Sequence, residues 1–148
     1  MMPVNYITIE QAIDTHLLTV RVSGGGDTSI INSGQLESVL NHIQNDDYYP
    51  RFADKLTHLI WGACKFHCFA DGNKRIAISL GAQFLLINGY LALAGKFIHH
   101  MENISYHVAA GKIDKDLLSR IVLALLEGKE EEESLKLEIY NAIKDDER

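Results

Sequence analysis

The chain has 148 residues, of which 47% are apolar and only 2 are proline. That length favours one domain, which can bury about 70% of its unfolded surface without disulfides or metals. The formal net charge of −6 argues against a general affinity for nucleic acid, because such binding requires the neutralisation of phosphates. No apolar run approaches the ~20 residues of a membrane span, and the polar N-terminus argues against a secretory signal. We therefore expect a cytoplasmic protein with no nucleic-acid and no membrane partner.

Two amphipathic helices are predicted in the first third of the chain. Thr8 and Gln11 stand at the two ends of a capping box, a helix-start pattern. The helix that follows has an apolar face made by Ile9, Ala12, Ile13, His16, Leu17 and Val20. On that face we interpret His16 as a packed core histidine, although it could also line a pocket. The second helix carries Leu36, Val39, Leu40 and Ile43 at helical spacing and ends at Asn45-Asp46-Asp47. Between them, residues 23–33 contain three consecutive glycines and predict a mobile connection.

The next two helices flank a short polar loop. The first of them has apolar residues at helical spacing, namely Phe52, Leu56, Leu59, Ile60, Ala63 and Phe66. The second is the apolar stretch from Ile76 to Ile87, which stops at the helix-ending pair Asn88-Gly89. Because this stretch is apolar nearly all round, we expect it to be the buried central helix. Cys64 and Cys68 are expected to be reduced thiols without a metal or a disulfide.

Shorter secondary-structure elements are predicted in the C-terminal part of the chain. Residues 90–93 are expected to be briefly extended, residues 104–110 to form a short helix closed by Gly111, and residues 115–127 a helix closed by Gly128. His99-His100 is interpreted as solvated loop rather than as a metal pair, because adjacent side chains seldom point the same way. The acidic tail has one apolar stripe, made by Leu135, Ile139 and Ile143. The sum is an all-α domain of six or seven helices.

The loop His67-Cys68-Phe69-Ala70-Asp71-Gly72-Asn73-Lys74-Arg75 carries the residue types of phosphate-transfer chemistry. It leads into a helix N-terminus, where free backbone N–H groups and the helix dipole favour a bound phosphate. Asp71 is a candidate ligand for a Mg²⁺ that bridges phosphate oxygens, and Gly72 lets the backbone approach a ligand. His67 is the only local group able to accept a proton near neutral pH, so it is the candidate general base. Asn73, Lys74 and Arg75 follow, with side chains that can donate hydrogen bonds to an anion.

Simpler readings exist for each of these residues. Phe69 is expected to point into the core and hold the loop. Asp71 could merely cap the following helix, and His67 alone could be an ordinary loop histidine. Lys74 and Arg75 could be solvated, but cations in a first helical turn oppose the helix dipole and cost roughly 0.3–1 kcal/mol. Such a local violation is typical of a functional site.

These residues resemble the signature of the Fic/Doc family, His-x-Phe-x-Asp/Glu-Gly/Ala-Asn-x-Arg, at every fixed position. Residues 33–38 (Ser-Gly-Gln-Leu-Glu-Ser) resemble the Gly-Leu-Leu-Glu-Ser segment of Doc-type chains, and Asn88-Gly89-Tyr90 follows the motif helix at the family's usual distance. We judge that the resemblance covers residues 6–127, so that a Fic/Doc domain at 1–128 precedes an acidic helical extension at 129–148. The resemblance implies a compact helical domain with a central buried motif helix and a flexible flap at 23–33, which docks the protein substrate.

Two positions distinguish the branches of the family. Fic enzymes that transfer AMP typically have Gly at the position of Lys74 and a second Arg at the position of Ile78. Asn-Lys-Arg without that second Arg resembles the Doc, or death-on-curing, toxin branch. That resemblance implies transfer of the γ-phosphate of Mg²⁺-ATP to a threonine or serine hydroxyl of a protein such as elongation factor Tu. In this reading His67 is the base, Asp71 holds Mg²⁺, and the nucleotide is bound by Phe69, Gly72, Asn73, Lys74 and Arg75.

Other readings stay open at this point. The same site could transfer AMP, or the domain could be a catalytically silent binding module. The resemblance also leaves open an antitoxin partner and a homodimer. The tail could be a solvated helix that packs its stripe on the body, or it could fill an antitoxin groove in its own chain or a neighbour's. It could also inhibit the site, since Ser134 and Glu138 match half of an inhibitory-helix pattern, although Ile139 departs from it.

Overall fold

The computed structural model describes residues 3–22, 24, 33–66 and 73–144, and within these ranges the chain forms helices and turns but no strand. In this described part of the chain, seven helices follow one another: α1 (Ile9–Val22), α2 (Ser33–His42), α3 (Phe52–Lys65), α4 (Asn73–Ile87), α5 (Leu91–Ala109), α6 (Lys115–Leu126) and α7 (Glu133–Ile143). The predicted all-α fold class is confirmed. None of the helices in the described ranges is long and apolar enough to cross a membrane.

The motif helix α4 is the centre of the bundle. It packs against α1, α3 and α5, and it buries Ile76, Ala77, Leu80, Gly81, Ala82, Phe84 and Leu85. The contact with α5 is especially close, because a Cβ atom on Gly81 would lie 2.4 Å from the ring of Phe97. Only a residue without a side chain fits there. The prediction of a buried central helix is therefore confirmed.

Local signals set the start of α1 and the end of α4 as predicted. At the start of α1, the backbone N–H of Thr8 donates to Gln11 Oε1 at 2.9 Å, and that of Gln11 donates to Thr8 Oγ1 at 3.1 Å. These two bonds are the reciprocal capping box. After α4, Gly89 has a φ of +91°, a left-handed conformation that glycine adopts without steric cost.

Asn88 ties the end of α4 to the N-terminal segment. Its side-chain amide donates to Phe84 O at 2.8 Å and to Asn5 O at 3.0 Å. The backbone N–H of Asn5 donates back to Asn88 Oδ1 at 2.8 Å. The segment before α1 is thereby held against the end of α4 that lies away from the motif loop.

The prediction for residues 90–110 was wrong. Instead of an extended stretch and a short helix, Leu91–Ala109 form one helix of 19 residues. The apolar residues buried by α5 recur at helical spacing along its whole length: Ala94, Phe97, Met101, Ile104 and Val108. His99 and His100 therefore lie in a helix and not in a loop, with ring centroids 5.8 Å apart. The polar residues that separate the apolar ones belong to the outer face of this helix.

A buried lysine joins the end of α2 to α3. Lys55 is 2% exposed, and its Nζ donates to Ile43 O and to Asp46 Oδ1, each at 2.7 Å. Burial lowers the pKa of Lys55, but hydrogen bonds to Asp46 and Tyr6 outweigh it, so that the pKa is raised. The ammonium group therefore stays charged and connects the two helices.

The acidic tail forms the last helix. Leu135 of α7 is buried in the core cluster, while Ile139 and Ile143 pack against it partly exposed. Arg120 of α6 forms an ion pair with Glu138 of α7. The predicted apolar stripe thus faces the body of the protein.

Candidate functional site

The start of α4 lies beside the ends of several other helices. Thr15 Oγ1 is hydrogen-bonded to Gln83 Oε1 at 2.7 Å, and Thr19 Oγ1 to Ser79 Oγ at 3.0 Å. As residue numbers rise along α1 they fall along α4, so the two helices are antiparallel. The C-terminal end of α1 is consequently next to the N-terminal end of α4.

The ends of α3 and α5 lie in the same region. Lys65 Nζ donates to Val108 O at 3.3 Å, and the thiol of Cys64 donates to Ser105 O at 3.8 Å. Because α5 returns antiparallel along α4, as the contact of Gly81 with Phe97 shows, its later turns approach the start of α4. The ends of α1, α3 and α5 therefore surround the beginning of the motif helix.

Four of the predicted site residues, His67, Phe69, Asp71 and Gly72, lie outside the described residues, as does Cys68. Their roles as base, loop anchor, metal ligand and close-approach glycine stay predictions. The chain is described up to Phe66, which follows α3, and again from Asn73, which begins α4. In the described ranges there is no cluster of three or more His, Cys, Asp or Glu that could hold a metal ion.

The remaining three predicted residues open α4. Asn73 is partly buried, whereas Lys74 and Arg75 are exposed. The first turn contains no acidic residue, and two cations lie beside the positive end of the helix dipole. Such a start disfavours an isolated helix but attracts an anion.

Ile78 occupies the position at which Fic enzymes that transfer AMP typically have a second arginine. Its side chain is partly buried and packs against the hydrophobic core. An aliphatic side chain offers no hydrogen-bond donor to a phosphate. The positive charge at this end of α4 is therefore concentrated in the first turn.

Cys64 is close to the site but chemically quiet. Burial raises the pKa of its thiol to about 12, although Lys74 and Lys65 act in the opposite direction. A thiol with such a pKa is protonated at neutral pH and is a poor nucleophile. Cys64 is free and buried.

The predicted flap begins at the same end of the bundle. Within residues 23–33 the structure describes only Gly24, whose N–H donates to Arg21 O at 3.3 Å, and the backbone of Ser33 at the start of α2. The rest of the predicted flap lies outside the described residues. What the structure does place is its starting point, because α1 ends at Val22 next to the beginning of α4.

Sequence reasoning did not single out a polar cluster between α3 and α6. There Lys115 Nζ lies 2.9 Å from His58 Nδ1, across a sequence separation of 57 residues. No local spacing signals such a pair, and only the packing of α6 on α3 brings it together. By contrast, His16 is fully buried, as its place on the apolar face of α1 predicts.

Comparison with known proteins gives two findings. The Fic/DOC family model matches residues 6–85, which are more than half of the chain and include the whole motif loop. A curated relative, "Toxin Doc" from Mycolicibacterium smegmatis, is 29% identical over 102 residues, which cover 66% of this chain and 78% of the relative. The matched family region contains α1, α2 and α3 and most of α4, the elements around the site. The chain belongs to the Fic/DOC family.

Proposed function

We propose that this protein is a Doc-like toxin that transfers the γ-phosphate of Mg²⁺-ATP to a threonine or serine hydroxyl of a target protein. The observation that carries the proposal is the start of α4. Lys74 and Arg75 are exposed in its first turn, while Ile78 packs against the core where a second phosphate-binding arginine would be needed for AMP transfer. The similarity to a relative described as Toxin Doc supports the same branch.

Each predicted residue has one task in this reaction. His67 accepts the proton of the target hydroxyl as the oxygen attacks phosphorus. Asn73, Lys74 and Arg75, together with the backbone around Gly72, bind the phosphates and balance the charge that develops during transfer. Asp71 would hold the Mg²⁺, which neutralises phosphate charge when bound. Phe69 holds the loop against the core so that these groups keep their positions.

The partners follow from the same assignment. Residues 23–33 dock the target protein, and a translation factor such as elongation factor Tu is the candidate target. This flap is attached to α1, whose end lies beside the start of α4, so a docked segment would be close to the motif. An antitoxin and a homodimer are further candidate interactions, and the cytoplasm is the proposed compartment. The catalytic domain is assigned to residues 1–128 and the tail to 129–148.

Labelled ATP tests the reaction. The pure protein is incubated with target extract and ATP labelled at either the α or the γ phosphate, and labelled protein is detected after electrophoresis. Transfer from the γ position only is the expected result. Transfer from the α position would show AMP transfer instead, and transfer from neither would favour a binding module. An Arg75→Ala variant, which removes one predicted phosphate ligand, serves as the matched control and should lose the label.

A further inference from the structure

The polar cluster between α3 and α6 contains a lysine in an unusual setting. Lys115 Nζ has the imidazole of His58 as its hydrogen-bond partner, at 2.9 Å from Nδ1. The same ammonium group lies 5.7 Å from the ring centroid of Tyr49, which is 4.8 Å from the ring of His58. The nearest partners of the Lys115 amine are therefore an imidazole and an aromatic ring.

An open cavity gives access to this lysine. Its volume is about 290 Å³, and it is lined by Tyr48, Tyr49, Asp54, Thr57, Lys115, Asp116 and Ser119. That volume admits a small reagent of a few heavy atoms. Lys115 is only partly buried, so its amine can be reached from the cavity.

The carboxylates in the cavity wall are already paired with other cations. Asp54 Oδ1 lies 2.8 Å from Arg51 Nη2, and Asp116 Oδ2 lies 3.3 Å from Arg120 Nε. The hydrogen bond from Arg51 holds the pKa of Asp54 below its usual range. Among the described residues, no carboxylate forms an ion pair with Lys115. Within the described part of the chain, its ammonium form therefore has no counter-ion of the kind that stabilises other lysines.

Several lysines elsewhere in the chain do have such a counter-ion. Lys96 Nζ lies 2.7 Å from Glu130, Lys136 Nζ 2.8 Å from Glu131, and Lys129 Nζ 3.9 Å from Glu127. An ion pair favours the protonated lysine, whereas burial without one favours the free amine. Compared with these ion-paired lysines, the surroundings of Lys115 favour the free amine, which is the nucleophilic form.

The protonation states agree with this geometry. Partial burial lowers the pKa of Lys115. Burial, together with the charges of Lys115 and His42, lowers the pKa of His58 to about 4, so the imidazole is neutral at pH 7. The titratable or charged groups that face Lys115 from the neighbouring elements are Tyr49, Asp54, His58 and Asp116. Both acids among them are engaged by arginine.

We propose that Lys115 is a site of covalent acylation by acyl phosphates, the chemical class to which acetyl phosphate belongs. The free amine nitrogen forms a bond to the carbonyl carbon, and the bond from that carbon to the phosphate oxygen breaks. Phosphate leaves with the electron pair of the broken bond and takes up the proton that the amine loses. The product is a neutral amide, which no longer places a cation beside His58 and Tyr49. Lysine is a common target of acylation, and burial increases the share of its reactive form.

Site-resolved acylation rates test the proposal on the full chain. The protein is incubated with acetyl phosphate at pH 7, and acetylation of each lysine is followed by peptide mass spectrometry. Lys129 is the internal control, because it is exposed and close to Glu127. We expect Lys115 to react roughly threefold faster than Lys129 or more. The rates of both lysines should rise with increasing pH, and that of Lys115 should level off at the lower pH, because its free amine forms at lower pH. A rate for Lys115 equal to or below that of Lys129 would overturn the proposal.

A designed variant tests the physical cause. Ser119→Asp places a carboxylate in the cavity wall near Lys115, and it should raise the pKa of the lysine and slow its acetylation towards the rate of Lys129. Lys115→Arg keeps the charge but should show no label at this position. Circular dichroism checks that both variants are folded. Unchanged acetylation of Lys115 in a folded Ser119→Asp protein would contradict the argument from the missing counter-ion.

Discussion

The hydroxyl oxygen of Thr19 in α1 lies 3.0 Å from that of Ser79 in α4. Thr19 is about one turn before the end of α1, and Ser79 is about two turns after the start of α4. Thr19 Oγ1 also bonds to Thr15 O at 2.7 Å. The helix that leads into the predicted flap is thus hydrogen-bonded to the helix that begins with the predicted phosphate ligands.

This contact should contribute measurably to stability. Thr19→Val removes the hydroxyl at nearly constant shape and leaves Ser79 without this partner, so we expect a loss of about 1–3 kcal/mol in the free energy of unfolding. A double-mutant cycle with Ser79→Ala, measured by urea unfolding, should give a coupling energy of about 0.5–1.5 kcal/mol. Strictly additive effects of the two changes would show that the hydroxyls do not stabilise each other.

His67 is predicted to be the general base of the transfer reaction. His67→Ala should lower the rate by about 10²–10⁴, because no other group in the motif can accept a proton near neutral pH. The rate is measured with γ-labelled ATP and the target protein, and thermal unfolding of the variant serves as the control for its fold. If the folded variant kept more than about a tenth of the original rate, the assignment would be wrong.

Lys74 and Ile78 are predicted to set which phosphate is transferred. Lys74→Gly should weaken γ-phosphate transfer, because it removes an exposed cation from the first turn of α4. AMP transfer should require the double change Lys74→Gly with Ile78→Arg, which supplies the second arginine. Both activities are measured with ATP labelled at the two positions. Strong AMP transfer by the unmodified protein would overturn the assignment to the Doc branch.

His58 should make the protein less stable in acid. Its pKa is lowered to about 4, mainly by burial, whereas in the unfolded chain a histidine titrates near about 6.5. Between these two values the unfolded state binds more protons, so the free energy of unfolding falls as the pH decreases from about 6.5 towards 4. His58→Phe, which cannot titrate, should flatten this part of the curve measured by urea unfolding. The same pH dependence in both proteins would exclude His58 as its cause.

The tail is predicted to have a structural role. Leu135→Ala should destabilise the protein by roughly 2–3 kcal/mol, because the side chain is buried in the core. Removing the exposed ion pair by Glu138→Gln should have a much smaller effect, because solvent screens exposed ion pairs. Deletion of residues 129–148 should lower the melting temperature and leave phosphate transfer unchanged. A rise in transfer rate or in ATP affinity after the deletion would instead reveal self-inhibition by the tail.

The sequence by itself determined the elements whose signals are local. The capping box of Thr8 and Gln11 and the glycine stops at Gly89 and Gly128 are contained within a few residues. The apolar repeats of α3 and α4 needed no knowledge of their neighbours. The motif of residues 67–75 is likewise a matter of sequence, and its identification rests on residue types at fixed spacing.

Only the tertiary structure decided the features that depend on distant parts of the chain. The continuity of α5 follows from its long contact with α4, in which the ring of Phe97 packs directly on Gly81. In the sequence alone, the polar residues on the outer face of α5 suggested a break in the helix. The partner of Lys115 is 57 residues away, and the two side chains meet because α6 packs on α3. Burial and ion pairing are properties of packing, and packing joins residues whose positions in the sequence do not predict that they will meet.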